Sequence, residues 1–187
     1  MRISRFSLVL AVSAAAPAGA QASGRGSTSP VGNMYTPVFG GTAGIALPVG
    51  RVADDHAAGY ALGGLVEYGV AGQPYALRGE LLYQHFSLKS GRTGDDVNLL
   101  SLGPTIVFRT LQAPTPVAST TPNTFATVGI AIYAGNAGLG TRPGANAGLG
   151  VEIPLSGFSA TGEARAHLML ADGRPVITVP LTVSVRF

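Results

Sequence analysis

Residues 175–187 read PVITVPLTVSVRF, and this stretch decides the fold. Ile177, Val179, Leu181, Val183, Val185 and Phe187 share one parity, while Thr178, Thr182, Ser184 and Arg186 share the other. A period of two marks a β-strand with one face in an apolar medium and the other in a polar one, because successive side chains point to opposite faces of the pleat. The same alternation recurs upstream. Phe158, Ala160, Gly162, Ala164, Ala166, Leu168 and Leu170 alternate with Ser159, Thr161, Glu163, Arg165 and His167. Ala147, Leu149, Val151, Ile153 and Leu155 alternate with Gly148, Gly150 and Glu152. Only Ser156-Gly157 parts these two runs, which predicts a tight hairpin.

Further toward the N-terminus, Ala126, Val128, Ile130 and Ile132 oppose Thr127, Gly129, Ala131 and Tyr133, and Leu100, Leu102, Ile106 and Phe108 oppose Ser101, Gly103, Thr105 and Arg109. Tyr75, Leu77, Leu81 and Tyr83 oppose Arg78, Glu80 and Gln84; Tyr60, Leu62, Val66 and Tyr68 oppose Ala61, Gly63, Leu65 and Glu67. The first run carries Phe39, Ala43, Ile45, Leu47 and Val49 against Gly40, Thr42, Gly44 and Ala46. Each run is close to the roughly 9–11 residues that a tilted strand needs to cross a bilayer. Eight such runs predict an all-β, closed, antiparallel, eight-stranded up-and-down transmembrane β-barrel over residues 38–187, with closure removing every sheet edge.

Composition supports a membrane rather than an aqueous exterior. Charged residues are 11% of the 187-residue chain and hydrophobic ones 46%, against roughly a quarter charged in ordinary soluble domains. No apolar run approaches the roughly 20 residues of a membrane-spanning helix, and 27 Gly and 13 Pro disfavour long helices. The net charge of +3, with no basic block, gives no reason to expect nucleic acid as a partner. Residues 1–20 read as a signal peptide: Arg2 and Arg5, an apolar stretch from Phe6 to Ala16, then Ala18-Gly19-Ala20. Residues 21–37, rich in Ser, Gly and Pro, read as a flexible lead-in. The absence of cysteine excludes disulfides and thiol catalysis.

Two patterns orient the barrel. Phe39, Tyr68, Tyr75, Phe108, Phe158 and Phe187 fall on the apolar parity at strand ends that an up-and-down barrel gathers on one rim, as an aromatic girdle would. Tyr60 and Tyr83 give a thinner girdle opposite. Glu67, Arg78, Glu80, Arg109, Glu152, Glu163, Arg165 and Arg186 all have inward parity near the rim that holds both termini. These four acids and four arginines are expected to pair, since buried charge is tolerated only when compensated, and to plug the lumen. Luminal glycine and alanine toward the other rim leave room for a wet vestibule above the plug.

With its signal-like start, its eight runs and its terminal VSVRF, the sequence resembles the small bacterial outer-membrane β-barrel family of the outer-membrane protein A and X type. The resemblance implies a porin-like barrel domain, both termini in the periplasm, and Phe187 as the signal read by the outer-membrane assembly machinery. It also implies outer-membrane lipids and lipopolysaccharide as surroundings, and a monomer. Two features depart from that family. TLQAPTPVASTTPNT, residues 110–124, is long for a periplasmic turn, and the outer loops Arg51–Ala57, Lys89–Asp96, Asn136–Gly144 and Ala171–Arg174 are modest. Pro48, Pro104, Pro154 and Pro180 sit within runs assigned to strands, where each removes a ladder donor and suggests a bulge.

Candidate chemistry is sparse. His56 follows Asp54-Asp55 without the spacing of a metal site. His85 and Ser87, in QHFS, share the outward parity near the outer rim, and a lipid-facing His-x-Ser resembles the catalytic strand of outer-membrane lipid A deacylases. That strand's Asn after Ser is Leu88 here, and Asp95 and Asp96 are the nearest candidate acids. NAGLG, repeated at Asn136 and Asn146, lacks the ending of a phosphate loop and suits a hairpin with a Gly-rich tip. The expectation is therefore a non-enzymatic structural barrel or narrow passive pore, without catalytic residues, cofactor or metal. A soluble periplasmic ligand-binding barrel and a deacylase-like enzyme are the alternatives.

Overall fold

The computed structural model describes residues 37–69, 73–110, 122–155, 157–171 and 175–187. The expectations for the signal peptide, for the lead-in before residue 37, and for residues 111–121 and 172–174 lie outside them. The strands are β1 (Val38–Val49), β2 (Gly59–Gly69), β3 (Tyr75–Phe86), β4 (Val97–Arg109), β5 (Asn123–Gly135), β6 (Gly140–Leu155), β7 (Phe158–Met169) and β8 (Val176–Arg186). Each pairs antiparallel with its sequence neighbours, and β1 pairs with β8 to close the barrel. At the seam, Phe39 N–H donates to Phe187 O at 3.2 Å and Phe187 N–H to Phe39 O at 2.8 Å. A one-and-a-half-turn helix, α1 (Arg51–Asp55), lies in the β1–β2 connection.

Every strand carries its apolar parity outward. Leu149, Ile130 and Val183 are 70%, 67% and 62% exposed, whereas Arg78, Glu67, Glu163, Arg165 and Arg186 are buried inside. The polarity of a water-soluble protein is thus reversed. Phe39, Tyr68, Tyr75, Phe108, Phe158 and Phe187 are all exposed around the rim where the described chain starts and ends, here the terminal rim, and the Phe158 and Phe187 rings lie 6.2 Å apart. Tyr60 and Tyr83 stand outward at the far rim, their rings 6.1 Å apart.

Three expectations change. The far half of the lumen is not an open vestibule: Leu82, Phe86, Leu99, Tyr133 and Met169, all fully buried, form two clusters there joined by Leu139, and the buried Gln84, His167 and Thr178 also turn inward. Period-two reading identifies inward residues but not how far they reach, and these side chains are long enough to close the bore. The Asn136–Gly144 loop shrinks to a four-residue turn, because β6 starts at Gly140. Leu139 N–H donates to Asn136 O at 3.0 Å, and the central Ala137 and Gly138 have φ of 52° and 80°. That left-handed pair matches the right-handed twist of the flanking strands. The prolines produce no shift of register. Pairing lapses around Pro104 and Pro180 but resumes in phase, from Leu102↔Ile132 to Thr105↔Gly129 and from Ala164↔Leu181 to His167↔Thr178.

Candidate functional site

Two groups of side chains stand apart from the apolar framework. The first lies inside, toward the terminal rim. Glu67 and Arg78 face each other across β2 and β3, and Arg78 Nε donates to Glu67 Oε2 at 3.0 Å. Arg78 also reaches across the bore to β7, donating to Glu163 Oε2 at 2.9 Å. Arg186 from β8 donates to Glu67 at 3.0 Å, and Arg109 from β4 adds a third bond to the same carboxylate. Arg109 and Arg186 both also hold Glu152 of β6, Arg109 at 2.9 Å. Arg165 clasps Glu163 with two bonds of 2.7 Å and reaches Glu80 of β3 at 3.0 Å. All eight residues singled out by parity therefore belong to one connected set, with equal numbers of the two charges.

Sequence reading missed the neutral groups that complete the set. Thr127 donates to Glu163 at 2.8 Å, and Ser159 accepts from Arg186 Nε at 3.2 Å. It also missed Phe125, whose buried ring lies 5.6 Å from the Arg78 guanidinium carbon. The luminal glycines make this crowding possible. A Cβ on Gly148 would come 2.9 Å from the Arg165 side chain, and one on Gly150 would collide with the Phe125 ring. Side chains at these positions would compete for the space that the arginines and the ring occupy.

The second group lies outside, at the far rim. His85 on β3 faces Asn98 on β4 as its cross-strand partner, and Ser87, two residues on, shares the outward face. Ser87 Oγ is 3.3 Å from His85 Nε2, and His85 Nδ1 is 2.9 Å from Asn98 Oδ1. Tyr83 O–H donates to the same Asn98 oxygen at 2.5 Å. The Tyr60 ring packs against the imidazole with centroids 5.1 Å apart. Of the acids expected nearby, Asp96 places Oδ2 4.0 Å from His85 Nε2 and accepts from Leu88 N–H at 2.8 Å. Asp95 instead offers its backbone oxygen to His56 Nε2 at 3.2 Å. His56 Nδ1 lies 3.3 Å from Val52 O, so its ring joins α1 to the β3–β4 connection.

No protein-family model matches the sequence, and neither does any curated protein. Solved structures do. Neisserial surface protein A (NspA) is similar at 15% identity and a TM-score of 0.62, over 82% of this chain and 97% of that one. The attachment invasion locus protein Ail of Yersinia pestis, in complex with the heparin analogue sucrose octasulfate, aligns at 16% identity over 82% of this chain and all of its own, with a TM-score of 0.48. The N-terminal β-barrel domain of Pseudomonas aeruginosa OprF aligns at 15% identity and a TM-score of 0.44, over 83% of this chain and 100% of that chain. What this chain has in common with NspA is the fold, a small closed β-barrel.

Proposed function

We propose that the protein spans the outer membrane of a Gram-negative-type envelope as a structural barrel whose lumen is plugged by its charge pairs. The observation that carries this is the reversed polarity: all eight strands present apolar side chains outward, and the guanidinium and carboxylate groups of the lumen lie within. In water such a surface would expose an apolar area far beyond the few hundred Å² that monomers present, whereas in lipid it is the low-energy arrangement. A soluble ligand-binding barrel requires the opposite arrangement. The strands, of 11 to 16 residues, meet or exceed the crossing length of about 9–11 residues. In this reading the aromatic ring around the terminal rim sits at the periplasmic interface and the far rim faces outward. Phe187, packed on Phe158 and bonded across the seam, is the residue that the assembly machinery would engage.

A lumen filled by paired charge at one end and by Leu82, Phe86, Leu99, Tyr133 and Met169 at the other favours a closed barrel over a pore. Surrounding lipid and lipopolysaccharide are then the expected partners, with the barrel body acting as a monomeric scaffold. Cell fractionation tests the reading. Wild type should sediment with the outer membrane and migrate differently on gels before and after heating, and Phe187→Ala should assemble poorly. Recovery of both proteins in the soluble periplasmic fraction would overturn it.

A further inference from the structure

We propose that Ser87, His85 and Asn98 form a nucleophile relay on the lipid-facing surface that hydrolyses the acyl ester of a membrane lipid. The inference goes beyond a structural barrel, and it rests on the membrane reading only for the identity of the substrate. Its foundation is directional. A carbonyl oxygen can only accept, so the 2.9 Å contact between His85 Nδ1 and Asn98 Oδ1 requires the proton on Nδ1. The Nε2 lone pair is thereby left facing Ser87 Oγ at 3.3 Å, in position to take the hydroxyl proton. Tyr83, donating to the same Asn98 oxygen, and Tyr60, packed against the ring at a tilt of 34°, restrict rotation of both partners. Nucleophile, base and orienting group are three of the parts that such chemistry needs.

Charge and exposure agree with this assignment. Ser87 is exposed, and it stands on the same outward face as the apolar band. An ester whose acyl chain lies along that band would bring its carbonyl to the level of Oγ. Asp96 Oδ2, 4.0 Å from Nε2, stabilises the imidazolium as it forms. In the first half-reaction Oγ bonds to the ester carbonyl carbon as its proton passes to Nε2. The carbon–alkoxy bond then breaks, and Nε2 returns the proton to the leaving oxygen, giving acyl-Ser87 and an alcohol. In the second, water attacks the acyl carbon, loses its proton to Nε2, and the fatty acid leaves as the Ser87 hydroxyl is restored. Ester and water become acid and alcohol, with no oxidant or reductant required. The shared substrate chemistry is a long-chain carboxylic ester, present in both glycerophospholipid and lipopolysaccharide.

The test uses the full chain folded in detergent, where location in the cell plays no part. A long-chain alkyl fluorophosphonate, which phosphonylates only activated serines, should label Ser87 of the wild type, as read by peptide mass spectrometry. Ser87→Ala should abolish labelling, and His85→Ala should slow it by roughly 10²–10⁴-fold. Asn98→Ala should slow it as well, and Asn98→Asp should restore it, which a merely structural role for Asn98 would not produce. Each variant counts only if it keeps the wild-type heat shift in gel mobility. Purified phospholipid and purified lipopolysaccharide are then incubated separately with the wild type, and free fatty acid is measured. Labelling at Ser87 together with release from one of them upholds the proposal and names the source. Absence of labelling in folded wild type, or absence of release from both lipids, overturns it, whichever fraction of the cell the protein occupies.

Discussion

Replacing Glu67 by Gln removes one charge at the most heavily shared point of the lumen. Its carboxylate accepts from Arg78 and Arg186, each at 3.0 Å, and from Arg109. Gln keeps the shape and one acceptor oxygen but leaves the four arginines facing three carboxylates. Breaking a buried pair from one side typically costs about 3–5 kcal/mol. The lower end applies here, because Arg78 retains Glu163 and both Arg109 and Arg186 retain Glu152. With a urea dependence near 2 kcal/mol per molar, a loss of about 3 kcal/mol lowers the unfolding midpoint by about 1.5 M. The assay is reversible urea unfolding in detergent micelles, followed by gel mobility without heating. Asp55→Asn is the internal control: its pairing with Arg92 is 3.6 Å long between side chains about half exposed, and such pairs contribute less than about 1 kcal/mol. If Glu67→Gln shifts the midpoint no more than Asp55→Asn does, the lumen is held by its apolar contacts and the charges are incidental.

Two further outcomes follow from the interior. Arg165→Gln or Glu80→Gln opens the 3.0 Å bridge between β7 and β3 but should leave conductance in planar bilayers at the wild-type level, because the layer of Phe86 and Tyr133 still closes the far half; a raised conductance would show that the charge pairs alone are the block. Gly150→Val drives a side chain into the Phe125 ring and should cost about 1–3 kcal/mol in the same urea assay, with Phe125→Ala in the same chain recovering part of the loss.

The barrel and its facing were legible because parity survives without knowledge of neighbours: each inward and outward assignment needs only the alternation within one strand. The inward charges followed from the same rule. Contacts across strands were not legible, because they depend on register, which is set by the turns. Asn98 illustrates this. Its place opposite His85 depends on the connection over residues 87–96, which no periodicity reports. Phe125 and Tyr133 show a second limit: parity turns them inward, but only the closed barrel decides how far a ring reaches. NAGLG shows a third. At Asn136 the first four residues make a turn and Gly140 opens β6, and at Asn146 all five run extended through β6, where pairing with β5 and β7 overrides local preference.

The bridges from Arg78 to Glu163 and from Arg165 to Glu80 join β3 to β7, strands that are not neighbours in the sheet. An open, partly curled sheet cannot make them; they become available only when β1 meets β8 and the cylinder shuts. Contacts absent from the rate-limiting step act on the escape from the native state and not on its formation. These two bridges therefore govern how long a finished barrel persists and not how fast it forms. The lifetime of the closed barrel is written on the inner faces of two strands that never pair.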